Sequence, residues 1–311
     1  MGEFERIARL RRAFAAEAPD VALGIGDDAA VLRAGADVVL SVDVVVEGTH
    51  FRRRFADEAT LARRAAMAAL SDLAAMGAEA TALLCAWVLP AELEEAAFDG
   101  LVAGTAAAAR EVGAVVVGGN LARGPGIALT TTAVGRAERV IRRDGARPGD
   151  GLFVTGEPGA AALGLAALLA GREDEALLAP FVEAWRRPRA HLAEGRALAR
   201  EANACIDLSD GLLPDLGHVC AASGVGALIE PDALPCPAGF GAAAAALGEE
   251  PERLQLVGGE VYGLLFTAPE GAKLPAGATR IGTIEATPGI RLCRGDAVEP
   301  APEAGFDHFG G

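Results

Sequence analysis

Six aspartates sit beside small residues inside otherwise apolar stretches of this chain, and their surroundings demand an explanation. Asp27 and Asp28 end the turn Gly24-Ile25-Gly26-Asp27-Asp28-Ala29. Asp43 interrupts the β-branched run Val38 to Val46, and Asp72 lies within an alanine- and leucine-rich run. Asp207 and Asp210 follow an apolar approach in Ile206-Asp207-Leu208-Ser209-Asp210-Gly211. An ionised carboxylate in such a setting needs a partner, because desolvating an unpaired charge costs several kcal/mol. Cationic side chains near these acids in sequence are too few to serve. Divalent metal is the economical partner: Mg²⁺ takes oxygen ligands, keeps some of its waters and is shared between a carboxylate or two and substrate phosphates.

Lys273 is the only lysine in the chain, so all other formal positive charge is arginine. It falls in Pro269 to Gly277, a Pro- and Gly-rich stretch that reads as a surface loop. A nucleotide site built on a lysine-bearing loop is therefore nearly excluded. The glycine turn before Asp27 superficially fits a dinucleotide fingerprint, but its two carboxylates would face the pyrophosphate that a helix N-terminus attracts. Taken alone, that turn reads equally well as an exposed bend with two solvated acids. Asp207 and Asp210, three apart, would project from one face of a helical turn, with the Ser209 hydroxyl available to a metal or a phosphate. A helix N-cap with neighbouring acids is the other reading.

These acids need a scaffold. At 311 residues the chain exceeds the size at which a single core stops growing, so two domains are expected. A hydrophobic fraction of 51% supplies the material for cores, much of it alanine in runs such as Ala106 to Ala109 and Ala242 to Ala246, which read as helix filler. A formal charge of −15 argues against nucleic acid and membrane surfaces as partners. No run approaches the roughly 20 apolar residues of a bilayer span, and Met1 to Glu17 lacks a signal-peptide core. Five cysteines without a C-x-x-C pair argue against a disulfide framework or zinc site, and make a reducing cytoplasm the expected location.

Helix is expected at Thr60 to Met76, Glu92 to Glu111, Ala160 to Leu169 and Ala190 to Ala202. Strands are expected at Val38 to Val46, Leu83 to Leu89, Ala114 to Val117, Ile127 to Val134, Leu152 to Thr155, Ala227 to Glu230, Val261 to Thr267 and Arg280 to Ile284. Arg136 to Asp150 has the composition of a domain connection, and the segment ending in Arg187-Pro188 reads as a polar crossing. Both halves are mixed α/β, with a weak internal echo in Ser71-Asp72 and Ser209-Asp210.

The order of motifs resembles the thiamine-monophosphate kinase family over nearly the whole chain. The resemblance is carried by Gly-Ile-Gly-Asp-Asp-Ala-Ala-Val at 24 to 31, Ser41-Val42-Asp43 leading to Glu47-Gly48-Thr49-His50-Phe51, and Leu70-Ser71-Asp72-Leu73-Ala74-Ala75-Met76-Gly77-Ala78. Further along it rests on Gly118-Gly119-Asn120, Arg143 to Asp150, Asp207 to Leu212, Gly258-Gly259-Glu260-Val261-Tyr262 and Gly305-Phe306-Asp307-His308-Phe309. In general form several of these belong to the wider superfamily of aminoimidazole ribonucleotide synthetase, selenophosphate synthetase and the hydrogenase-maturation dehydratase. The resemblance implies an N-terminal α/β domain over 1–138 that dimerises through its sheet, and a C-terminal α/β domain over 139–311. It implies phosphorylation of thiamine monophosphate by ATP. Magnesium ligands would be Asp28, Ser41, Val42 (through its backbone), Asp43, Asp72, Asn120, Asp207 and Asp210, with Asp27 beside them. Gly119, Asn120, Arg143 and Ser209 would meet ATP, and His50, Glu260 and Phe306 thiamine phosphate.

Two places depart from the family pattern. Asn120 stands where aspartate is usual, which removes a charge though an amide oxygen can still ligate magnesium. Gly-Gly-Glu-Asp-Tyr-Glu becomes Gly258 to Gly263 with Val261 and Gly263 in place of two acids. A kinase with weakened metal affinity, a non-catalytic binding relative and a superfamily enzyme with another acceptor are the readings left open. The reactive N-terminal cysteine of the selenophosphate enzyme is missing, the first cysteine being Cys85, as is the dehydratase's C-terminal cysteine.

Overall fold

The computed structural model describes residues 21–23, 27–33 and 37–302. The N-terminal segment Met1 to Glu17, Gly24 to Gly26 and Phe306 lie outside them.

The first sheet takes β1 (Val21–Leu23), β2 (Ala30–Arg33), β3 (Asp37–Val46), β4 (Glu79–Leu89), β5 (Val115–Arg123) and β6 (Ala128–Ala137) in the order β1-β2-β3-β6-β4-β5. Helix α1 (Glu58–Ala75) precedes β4. Helix α2 (Glu95–Glu111) is the crossover that lets β4 and β5 run parallel, while the other pairs are antiparallel. Alternation in β3, β4 and β6 sends Val39, Leu83 and Leu129 into the core and leaves Val42, Val44 and Leu84 on an open outer face.

Helix α1 starts where the Asp57 side chain accepts the Thr60 N–H at 2.7 Å. It stops at Gly77, whose φ of +70° closes a Schellman turn through Gly77 N to Ala74 O and Ala78 N to Leu73 O. Between these ends it is buried on nearly every side, packed on the first sheet, on α2 and on elements of the second half. Its alanines are therefore contact surface: Ala62, Ala65, Ala66, Ala69 and Ala74 lie in the core. Neighbouring glycines share the logic. A Cβ on Gly104 would stand 1.9 Å from the Ala59 carbonyl oxygen, and one on Gly195 would stand 2.0 Å from that of Ala74.

The second half begins with β7 (Gly151–Val154), followed by α3 (Ala160–Ala170), α4 (Ala179–Arg186), α5 (Leu192–Leu198) and β8 (Ala204–Asp207). Next come α6 (Leu212–Ser223), β9 (Gly226–Ile229), α7 (Phe240–Leu247), α8 (Pro251–Val257), β10 (Leu264–Ala268) and β11 (Thr279–Glu285). The hairpin β12 (Gly289–Arg294) and β13 (Ala297–Pro300) ends it. The seven-stranded sheet runs β13-β12-β9-β11-β7-β10-β8. The expected polar crossing before Arg187 holds α4, a short helix with Pro180 in its first turn that buries Phe181, Val182 and Trp185. Charged residues on its other side hide that stripe from a reading of composition. The strand expected from Val261 begins at Leu264, because Glu260 and Tyr262 take φ of +64° and +54°.

The close seat of α5 on α1 can be checked by substitution. Gly195→Ala should cost about 1–3 kcal/mol of stability by overpacking. Gly217→Ala, inside α6 with nothing within 4 Å of the added methyl, should gain about 0.5–1 kcal/mol. Urea denaturation of the two variants measures both.

Candidate active site

Three carboxylates meet from three distant elements. Asp28 lies in the bend before β2, Asp72 in the last turn of α1 and Asp207 at the end of β8, with ligand oxygens all within 4.8 Å of one another. Side chains on α1 and on the neighbouring strand β3 orient them. Ser41 of β3 donates to Asp72 Oδ2, and buried Ser71 donates to Asp207 Oδ2 at 2.5 Å, joining α1 to the second sheet. Arg143 spans the other side, with Nη2 to Asp28 Oδ1 at 2.5 Å and Nε to Asp27 Oδ1 at 3.2 Å.

The electrostatics are those of an underneutralised anionic pocket. Burial pushes the Asp28 carboxyl well above its ordinary range; Arg143 opposes this, while Asp207 and Asp27 add to it. Burial likewise raises Asp72 well up, reinforced by Asp207 and Asp28. Asp207 is pushed up to about 6 by burial, against the Ser71 hydrogen bond and with the repulsion of Asp210 and Asp43. Asp28 Oδ2 is buried with no hydrogen-bond partner. Converging hard oxygens with an unsatisfied buried lone pair fit a divalent cation of the magnesium type.

A cavity of about 420 Å³ opens beside Asp72 and Asp207. Val42, Asp43, Ser209 and Asp210 also line it, as do His50 and Glu260. His50 Nδ1 accepts the Val46 N–H at 3.1 Å, so its other nitrogen carries the proton in the neutral ring. The expected helical turn across Asp207 and Asp210 is replaced by a strand end and a bend, since Gly211, at φ +118°, starts α6 only afterwards. Asp215 in the first turn of α6 holds that bend: its Oδ2 accepts the N–H groups of Asp210 and Gly211, each at 3.2 Å. Asp27 stands apart from the trio and serves Arg143, whose backbone N–H it also accepts at 3.3 Å.

Gly119 and Asn120 are elsewhere. They lie exposed on β5, three strands from β3 in the sheet order and so roughly 14 Å away at ordinary strand spacing. With Trp87, Phe98 and Val102 they line an open hollow of about 550 Å³ between β5 and α2. Gly119 cannot be replaced there, because a Cβ would lie 1.9 Å from the Cys85 carbonyl oxygen. Val261 packs against the second core and is not among the residues that line the cavity, although its neighbours Glu260 and Tyr262 are.

Sequence reasoning overlooked Ser71, Asp215, Arg64 and Trp185. Arg64 was marked only by being an arginine inside an apolar helix pattern, and it is 2% exposed. Trp185 was hidden with α4.

The family described as "AIR synthase related protein, N-terminal domain" matches residues 26–137, and its C-terminal counterpart matches 147–292. The thiamine-monophosphate kinase of Salmonella typhimurium is 37% identical, covering 99% of this chain and 98% of its own. That of Mycobacterium tuberculosis is 38% identical over 100% and 92%. The structure of AaThiL complexed with AMPPCP and TMP superposes with a TM-score of 0.91 at 31% identity, covering 99% of this chain and 97% of its own. The hydrogenase maturation protein HypE, at 20% identity and a TM-score of 0.68, shares the fold. On this carboxylate architecture and these matches, the chain belongs to the thiamine-monophosphate kinase family within the AIR synthase related proteins.

Proposed function

We propose that this protein transfers the γ-phosphoryl group of ATP to thiamine monophosphate, giving thiamine diphosphate, with magnesium held by Asp28, Asp72 and Asp207 and, around them, Ser41, the Val42 carbonyl, Asp43 and Asp210. The observation that carries it is the buried, partnerless Asp28 Oδ2 within a carboxylate trio that opens onto a cavity walled by Glu260 and His50. Bound there, magnesium would neutralise the phosphates and line up the acceptor with the γ-phosphorus. The acceptor oxygen belongs to a phosphate monoester with a second pKa of about 6, so it is already largely ionised and no side chain has to act as general base. The residues therefore bind and orient: Ser209 and Arg143 toward ATP, His50, Glu260 and Phe306 toward the thiamine end.

The same reading includes a homodimer. The outer face of the first sheet presents Val42, 64% exposed, with Val44 and Leu84, an apolar surface suited to a second copy. Asn120 sits in the outer-face register of that sheet, opposite Ala86, so sheet-to-sheet pairing would place Asn120 at the interface between the two chains. The base of ATP would then fit the apolar hollow at Trp87, Phe98 and Val102. A domain boundary at 138/139 accords with the last strand of the first sheet ending at Ala137. Five free cysteines accord with a cytoplasmic location, and no helix among the described residues is long and apolar enough to cross a membrane.

Incubation with ATP, Mg²⁺ and thiamine monophosphate should yield thiamine diphosphate, and Asp72→Asn should lower kcat/KM by at least about 100-fold. Binding of both ligands without product would establish instead a non-catalytic relative, the reading that Asn120 favours. Asn120→Asp should lower the magnesium concentration needed for half-maximal rate. Leu84→Asp should convert a dimer to a monomer in light scattering and remove turnover with it.

The trio also predicts a pH dependence. Its carboxyls have folded pKa values above those of the unfolded chain, so between about pH 4 and 7 the native state holds more protons than the unfolded one. Stability of the metal-free protein should fall as pH rises through that window. Added Mg²⁺ should raise Tm far more at pH 8 than at pH 5. Asp207→Asn should stabilise the metal-free protein at pH 8 by on the order of 2 kcal/mol and shrink the magnesium-induced shift, which thermal scans at the two pH values would show.

A further inference from the structure

Arg64 belongs to α1, eight positions before Asp72, and nothing in the phosphate chemistry uses it. Its guanidinium carbon lies 4.1 Å from the centroid of the Trp185 indole and 5.8 Å from that of Tyr262. Nη1 donates to the Trp185 backbone carbonyl, and Nη2 makes a close ion pair with Glu260 Oε1 at an angle too bent for a good hydrogen bond. The indole N–H of Trp185 donates to the other oxygen, Glu260 Oε2, at 2.8 Å. Both carboxylate oxygens of Glu260 are thus held by protein groups, and Glu260, Arg64 and Tyr262 all line the cavity.

The backbone makes the same investment. Glu260 and Tyr262 both have positive φ, a left-handed conformation that is unfavourable for residues with a Cβ. It is held by Glu260 N to Ser209 O and Tyr262 N to Leu208 O, each 2.8 Å. Gly259 permits the approach, since a Cβ there would lie 2.5 Å from the Ser209 oxygen. The strained bend therefore hangs on the turn that carries Ser209 and Asp210, and aims Glu260 at α1.

We propose that Arg64 is a positioning residue for the acceptor: clamped between Trp185 and Glu260, it fixes the Glu260 carboxylate on the cavity wall so that the cationic ring end of thiamine monophosphate docks there and its phosphate end faces the aspartates. A planar fork stacked on an indole is needed, a geometry that lysine's point charge does not reproduce. The inference rests on the acceptor assignment above and adds a residue to it.

The test measures steady-state kinetics of the full-length protein with ATP and Mg²⁺. Arg64→Lys should raise KM for thiamine monophosphate about tenfold and Arg64→Met about 100-fold, with kcat and KM for ATP within about twofold of the parent. Arg64→Met combined with Glu260→Gln should be no worse than Glu260→Gln alone, because the two act as one unit. That double variant buries no unpaired charge, so it carries the test together with Arg64→Lys if Arg64→Met does not fold. Equal rises in both KM values, a fall confined to kcat, additive losses in the double variant or an unchanged KM for thiamine monophosphate would each overturn the role of Arg64 while leaving the kinase reading intact. A parent protein that neither binds nor turns over thiamine monophosphate would overturn both.

Discussion

Mutual repulsion among Asp28, Asp72 and Asp207 is the constraint on which the rest of this structure depends. Three carboxylates from a bend, a helix and a strand end are brought within 4.8 Å of one another in surroundings that exclude most water, and their raised proton affinities record the cost. Folding on its own gains nothing from such an arrangement. It persists because the fold around it is rigid in the places that matter. Helix α1 is gripped on nearly every side, Ser41 and Ser71 each hold one carboxylate, and Arg143 holds a third from the far side. Arg143 alone cannot neutralise the group, because Asp27 shares its guanidinium. A residual negative charge is thus built in, aimed at an open cavity, which is the electrostatic signature of a cation site.

Packing explains how a chain so rich in small residues reaches this rigidity. Alanine on α1 and glycine on α2 and α5 let backbones approach until carbonyl oxygens sit where a side chain would otherwise be. Little is gained per residue from such small side chains, so the stability of the centre comes from the closeness and number of contacts. Asp72 and Ser71 lie at the end of that tightly seated helix. Their positions are therefore set by the whole packed face and not by a local turn. Asp207 reaches the same point from the second sheet, and the Ser71 hydrogen bond to it is also a tie between the two halves.

Much of this was legible in the sequence, for reasons that differ by element. Long apolar runs such as β3 and α1 were placed to within a few residues because period and composition agree there. The aspartates stood out because each interrupts an apolar context. A spacing of three suits Asp207 and Asp210 to either a helical turn or the acids beside a helix N-cap, and it is blind to the glycine that delays the helix; only Gly211 at positive φ shows where α6 begins. Arg64, Trp185 and Asp215 were not legible as site residues. Each acts across a large sequence separation or on a backbone amide, and neither relation leaves a periodic trace. Asn120 illustrates the converse: its motif was readable, yet its place on the far edge of the sheet depends on strand order, which motif order does not encode.

The scarcity of lysine takes on a mechanical meaning in this setting. A flexible ammonium can follow a phosphate, whereas an arginine stacked on an indole or forked between two aspartates is fixed before any ligand arrives. In this chain Arg143 and Arg64 both spend their guanidinium groups on carboxylates: one beside the trio, the other at Glu260. Positive charge is used to hold negative charge in position, and the negative groups face the cavity. The bend at Glu260 hangs on the Leu208–Ser209 turn by two backbone hydrogen bonds, and Asp215 braces the residues that follow it. Displacement of the backbone at Glu260 would therefore be felt at Ser209 and Asp210. The Glu260 side chain is held separately, by Arg64 and Trp185, so its carboxylate can be loosened while the turn that carries Asp210 stays in place.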